Sequence, residues 1–109
     1  MKIYISLPIT GHDIGYCRER AASAKKRVEA LGHNAVTPFD VCKNQKKPYN
    51  WYMGKDIEAL LTCDAIYLLS GWSESNGCPL EWRCAEIYSK QIFKHITQIP
   101  NSNETKPQI

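Results

Sequence analysis

The sequence predicts a three-layer α/β domain, a parallel sheet of four to five strands flanked by helices. Two observations carry this expectation. Strand-like and helix-like segments alternate along the chain, and right-handed crossovers between such segments build a parallel sheet covered on both faces. The segment opened by Asp64, AIYLLSGW, is almost wholly apolar, as a strand in the middle of such a sheet must be. The totals agree: 109 residues, 43% hydrophobic and 23% charged, suffice for one core.

Taken in order, KIYISL at 2–7 is β-branched and aromatic and reads as a strand, with Pro8, Thr10 and Gly11 as turn formers behind it. Asp13 suits a helix N-cap, and apolar or small residues then recur at Ile14, Cys17, Ala21, Ala24, Val28 and Leu31, a helical stripe that stops at Gly32. Asn34 to Thr37 can form a short strand that Pro38 ends. The polar stretch 40–50 lacks periodicity and reads as an exposed loop. Asn50 is the expected cap of a second helix, with its stripe at Met53, Ile57, Leu60 and Leu61. Pro79 suits the first position of a third helix reaching to about Lys90, and Gln91 to Thr97 supply a last strand. Residues 1–97 are thus expected to be one domain and 98–109 a flexible tail.

Composition narrows the function classes. The formal charge is only +3, and the basic residues between Arg18 and Arg27 alternate with acids as on a solvated face, which argues against a nucleic-acid polymer as partner. Neither a membrane span nor a secretory signal is evident, so a cytoplasmic protein is expected. Five cysteines without a C-x-x-C pair or a nearby His at ligand spacing indicate neither a disulfide framework nor a metal site.

Two carboxylates stand where apolar side chains belong. Asp56 lies three residues after Met53 and four before Leu60, on the inward stripe of the second helix. Glu81 lies three, four and seven residues before Cys84, Ala85 and Tyr88, on the inward stripe of the third, and in its first turn, where the helix dipole favours a charged carboxylate. Buried unpaired acids cost several kcal/mol, roughly, so such groups are paired, protonated or functional. In a parallel sheet the loops at 7–12, 38–50 and 70–78 should meet in one crevice beyond the carboxyl ends of the strands. Two acids at one crevice suit glycosyl chemistry, one attacking the anomeric carbon and the other protonating the leaving group. The ordinary alternatives are a capping Asp56 and a Glu81 placed in its first turn by the dipole alone.

Three segments then point to a family. K-I-Y-I-S-x-P-I-T-G, Y-M-x-x-D-I-x-x-L-L-x-C-D-A-I-Y-L-L-x-G-W and S-x-G-C-x-x-E-W-x-x-A resemble small bacterial and phage proteins that are themselves similar to nucleoside 2-deoxyribosyltransferases and 2'-deoxynucleoside 5'-phosphate N-hydrolases. The likeness spans residues 2 to about 96. It implies a flavodoxin-like or Rossmann-like fold, Glu81 as nucleophile, Asp56 as the acid of the preceding helix, Tyr4 as the residue that positions the nucleophile, and Ser75 as a contact to sugar or phosphate. It also implies a retaining mechanism without metal or other cofactor, and a homodimer or larger oligomer. The hydrolases carry an Arg in the first loop for the 5'-phosphate, where this chain has Thr10.

The function expected is therefore cleavage or transfer at the N-glycosidic bond of a (deoxy)nucleoside or its monophosphate. Glu81, Asp56 and Tyr4 are the candidate catalytic residues, with Pro8, Ile9, Thr10, Gly11, Ser75, Gly77 and Trp72 as substrate contacts. Trp51 and Tyr52 are further aromatics whose loops converge on the crevice and could stack a base. The alternative is a non-catalytic nucleotide-binding or sensing module, which would have no need of both acids.

Overall fold

In the computed structural model, which describes residues 1–42 and 46–103, the first strand sets the layers. Strand β1 (Lys2–Ser6) is buried from Ile3 onward, and its side chains point to alternate faces. Ile3, Ile5 and Leu7 pack into a core with Cys17, Ala21, Ala24 and Val28 of helix α1 (Ile14–Ala30). Tyr4 packs into a second core on the other face, with Leu60 and Ala85. Those two come from helices α3 (Tyr49–Leu61) and α4 (Cys78–Ile87). One helix on one face and two on the other give three layers.

The sheet is parallel throughout and ordered β2-β1-β3-β4, with β2 (Asn34–Val36), β3 (Ala65–Leu68) and β4 (Gln91–Phe93). β3 lies inside the sheet and is buried at every position, as its uninterrupted apolar run requires. The fold is thus the predicted one, with four strands.

Local sequence explains most element ends. Asp13 caps α1, its carboxylate accepting from the Tyr16 amide at 2.9 Å, and Gly32 follows the helix at φ +88°, a conformation that glycine adopts without steric cost. Elsewhere the structure differs from the sequence reading. Pro38 ends β2 but also begins a four-residue helix, α2 (Pro38–Val41), inside the stretch expected to be loop. Thr37 and Asp40 close it as a reciprocal capping box. Asn50 is not a cap, because Pro48, extended at φ −67°, turns the chain into α3 two residues earlier. Pro79 occupies the second helical position of α4 rather than the first, and α4 stops at Ile87, before Lys90. β4 ends at Phe93 rather than near Thr97, since residues Ile96–Gln98 form a 3-10 turn tied to the strand end by the Gln98 side chain, which accepts from the Lys94 amide at 2.7 Å.

Residues 98–103, assigned to the tail in the sequence reading, lie against the C-terminal end of α1. Ile99 is buried, Ser102 donates its amide to the Leu31 carbonyl at 2.8 Å, and the Asn103 side chain donates to the Ala30 carbonyl. The remainder of that tail, 104–109, and the 43–45 part of the loop lie outside the described residues.

Candidate active site

A cavity of about 740 Å³ opens beyond the carboxyl ends of β1, β2 and β3, where a parallel sheet binds ligands. The volume is within the range of small-molecule sites. Leu7, Pro8, Ile9 and Thr10 line it from the segment after β1, Pro38 and Phe39 from the segment after β2, and Ser70 and Gly71 from the segment after β3. Helix α3 adds Tyr49, Tyr52, Met53 and Asp56, and the start of α4 adds Ser75, Gly77, Cys78 and Glu81.

Glu81 reaches the cavity with only 4% of its surface exposed. Both carboxylate oxygens are held from β1: the Tyr4 hydroxyl donates to Oε2 at 2.6 Å and the Ser6 hydroxyl to Oε1 at 2.7 Å. Tyr4 and Ser6 can do this together because residues two apart on a strand share a face. Burial pushes the Glu81 carboxyl up to about 7, against these two hydrogen bonds, which favour the charged form. The helix start, expected to keep Glu81 ionised, is outweighed by burial. Burial, then the charges of Glu81 and Asp56, hold the Tyr4 phenol well above its ordinary range, so Tyr4 stays a donor.

Asp56 is half-buried and lacks such support. Its Oδ1 is buried without a hydrogen-bond partner, and burial followed by the negative charge of Glu81 pushes its carboxyl up to about 7. The site therefore holds two interacting carboxyls with one difference between them, that Glu81 has two donors and Asp56 Oδ1 has none. Near neutral pH this pair can share one proton, with the charge favoured on Glu81.

Of the residues read from the sequence, Glu81, Asp56, Ser75, Gly77, Pro8, Ile9 and Thr10 meet at the cavity. Tyr4 lies behind Glu81, fully buried, and touches the site through it. Ser75 lines the cavity, but its hydroxyl accepts from the Cys78 amide at 3.0 Å and donates to the Trp72 carbonyl at 3.2 Å, so it satisfies the first amide of α4 from two residues before the N-cap, Gly77. Gly11 and Trp72 are not among the lining residues. Trp72 stacks instead on Trp82, ring centroids 5.8 Å apart, and Lys94 covers it at 5.4 Å. Trp51 also lies outside this cavity, whereas Tyr52 lines it.

Sequence reasoning missed Ser6, Arg18, Arg20 and Phe39. The period of two along β1 is a signal that would have found Ser6, since it puts Ser6 beside Tyr4. Among the described residues no group of three His, Cys, Asp or Glu is placed to hold a metal ion, and no helix is long and apolar enough to cross a membrane.

Comparison with known proteins bears on this arrangement. Residues 1–94 match the family model described as the domain of unknown function DUF4406. No curated protein matches the chain. Among solved structures, the fold is similar to that of a 2-deoxyribosyltransferase from Bacillus psychrosaccharolyticus, a psychrotolerant bacterium, which is described as a biocatalyst for nucleoside synthesis. The likeness has a TM-score of 0.66 at 17% identity and covers 84% of this chain and 69% of that one.

Proposed function

The chain belongs to the DUF4406 family, and on that premise we propose that it cleaves or transfers the N-glycosidic bond of a (deoxy)nucleoside or nucleoside monophosphate by a retaining mechanism. The observation that carries this reading is the buried Glu81 carboxylate, both oxygens aligned by β1, in one cavity with a second carboxyl whose Oδ1 has no partner. The fold shared with a 2-deoxyribosyltransferase supports it.

In this mechanism an oxygen of Glu81 attacks the anomeric carbon. The bond to the base nitrogen breaks, its electron pair stays with the base, and Asp56 supplies the proton that neutralises it. The glycosyl ester on Glu81 is then opened by water, giving hydrolysis, or by a second base, giving transfer. Asp56, now charged, takes the proton of the attacking group. The hydroxyls of Tyr4 and Ser6 hold Glu81 in place and favour its ionised form against the effect of burial. A receptor that only bound the nucleoside would have no need of both carboxyls, two acids that titrate near neutrality.

The test is release of free base from a panel of deoxynucleosides and their monophosphates, followed by chromatography. Glu81→Gln is expected to abolish release, by a factor of at least about 10⁴, while leaving binding largely intact. A slow 2-fluoro substrate is expected to add the mass of the sugar to the peptide that carries Glu81. Wild-type rates of base release from Glu81→Gln would place the nucleophile elsewhere.

Self-association is part of the same reading. Leu80, Ile87 and Tyr88 of the α4 region are about half exposed or more, at 48%, 60% and 60%, an apolar outer surface that a second copy would cover. Light scattering is expected to give at least the mass of a dimer. A monomer at high concentration with full activity would refute this.

A further inference from the structure

The two acids of the cavity, Asp56 and Glu81, lack a counter-charge. The ion pairs among the described residues join Lys25 to Asp40, Lys55 to Glu58 and Arg83 to Glu86, and involve neither. What opposes burial at Glu81 is a pair of neutral hydroxyls, and at Asp56 nothing does. The arginines that also line the cavity are engaged elsewhere, Arg18 over the Phe39 ring at 4.7 Å and Arg20 on the Ser70 carbonyl at 2.9 Å, and neither lowers the two carboxyls. Acids taken out of water without a partner are unfavourable when charged, and a ligand that brings a positive charge to them recovers the loss.

The wall around Asp56 suits a flat ligand. Tyr49, Tyr52 and Asp56 follow one another at spacings of three and four residues on α3, which sets them on one face of the helix, and Met53 shares that face. All four line the cavity, so two rings and a thioether stand next to the carboxyl. The Tyr49 hydroxyl donates to the Met53 sulfur at 3.5 Å, and Gly77 leaves room for both, since a Cβ there would be 3.3 Å from the hydroxyl and 3.4 Å from the sulfur. Aromatic rings attract cations through their faces and carboxylates through their charge, and together they hold a flat organic cation.

We propose that this cavity selects nucleosides whose base carries a positive charge, as a purine alkylated at N7 does, and that Asp56 is the group that recognises the charge. The proposal rests on the N-glycosidic reading and names a substrate class for the same site. Such a base leaves without a proton. The anomeric carbon bonds to an oxygen of Glu81, its bond to N9 breaks, and the electron pair of that bond cancels the charge of the base, which departs neutral. Asp56 stays ionised through this step, set against the cation, and then takes the proton of the water that opens the ester. A neutral base needs the same residue in its protonated state, and near neutral pH, where the Asp56 carboxyl titrates, both states are populated.

Two measurements at pH 7 test it. The first is calorimetric binding of carbocyclic adenosine and of its 7-methyl salt, which keep the base and cannot lose it. Wild type is expected to bind the methylated analogue at least about tenfold more tightly, and Asp56→Asn is expected to remove that difference. Glu58→Gln, loss of an exposed acid of the same helix away from this cavity, should preserve it. The second is release of base in the first turnover from 7-methyladenosine and adenosine and from their 2'-deoxy forms, less the rate without protein. Asp56→Asn is expected to slow release of adenine about a hundredfold and release of 7-methyladenine less than about tenfold. If neither compound loses its base but the methylated analogue binds more tightly and Asp56→Asn cancels the difference, the charge selection stands and the glycosidic reading fails. If base is released but the two analogues bind alike, or if Asp56→Asn keeps the preference or slows both releases equally, the selection is overturned and the glycosidic reading stands. Failure of wild type to bind either analogue also overturns the selection.

Discussion

Glu81 is prepared by the strand opposite it more than by the helix that carries it. Its oxygens are turned to the hydroxyls of Tyr4 and Ser6, and its own amide is already bonded to the Gly77 carbonyl at 3.0 Å, so the free end of α4 does little to charge it. Activity should need Glu81 ionised and Asp56 protonated, and with both carboxyls near 7 the profile of kcat/KM against pH is expected to be a narrow bell around neutrality. Ser6→Ala removes one donor to the charged form, moving the acid limb up by about one pH unit, and Ser6→Thr restores it. Asp56→Asn removes the alkaline limb. Stability should follow the same group. The folded pKa of Asp56 lies above its ordinary 3.8, so its contribution is fully present below about pH 4 and is lost as pH rises through 7. Urea unfolding should therefore find Asp56→Asn more stable than wild type at pH 8, by about 1–2 kcal/mol after discounting for partial exposure, with the gap closing at pH 4. A gap independent of pH would mean that Asp56 carries no such strain.

Among the elements, α4 links stability to the site most directly. Its first amide is satisfied by the Ser75 hydroxyl, and Glu81 stands three residues after that amide. Ser75→Ala is expected to cost about 1 kcal/mol in chemical unfolding and to slow base release, because loosening the first turn moves the carboxylate relative to Tyr4 and Ser6. Ser75→Asn, which can also cap, should recover most of the loss; a variant as stable as wild type would show that the cap is idle. What sequence could show of these elements depended on their length. The stripe of α1 persists over 17 residues and its stop at Gly32 was plain, whereas α2 spans four residues, too few for any helical period. β4 was read too long because nothing in Gln91 to Thr97 betrays that Gln98 folds its side chain back onto the backbone at Lys94.

At the scale of the molecule, the fold was legible because alternation and one apolar strand are global signals, carried by many residues at once. Much of the site was legible for a related reason: an acid on an inward stripe is an anomaly that periodicity exposes, and both Asp56 and Glu81 proved to line the cavity. That Arg18 and Arg20 also line the cavity was not, since a helical period tells which side of α1 is buried and nothing of where a long side chain ends. For Trp72 the sequence leaves stacking on a base and packing on a neighbour both open, since an aromatic in a converging loop can do either; in the structure it lies against Trp82. The sheet order has one more consequence, in the time it takes to make the protein. Within this sheet β1 precedes its central partner β3, which pairs Ala65 with Ile3 about 60 residues later, and at some 5–20 residues per second the ribosome needs roughly 3–12 s to deliver it. No native pairing is a hairpin that could form sooner, because every strand pair among the described residues is parallel. For those seconds the nascent chain presents Ile3, Tyr4 and Ile5 without the central strand that will bury them, and a chaperone waiting at the exit tunnel would find its target there.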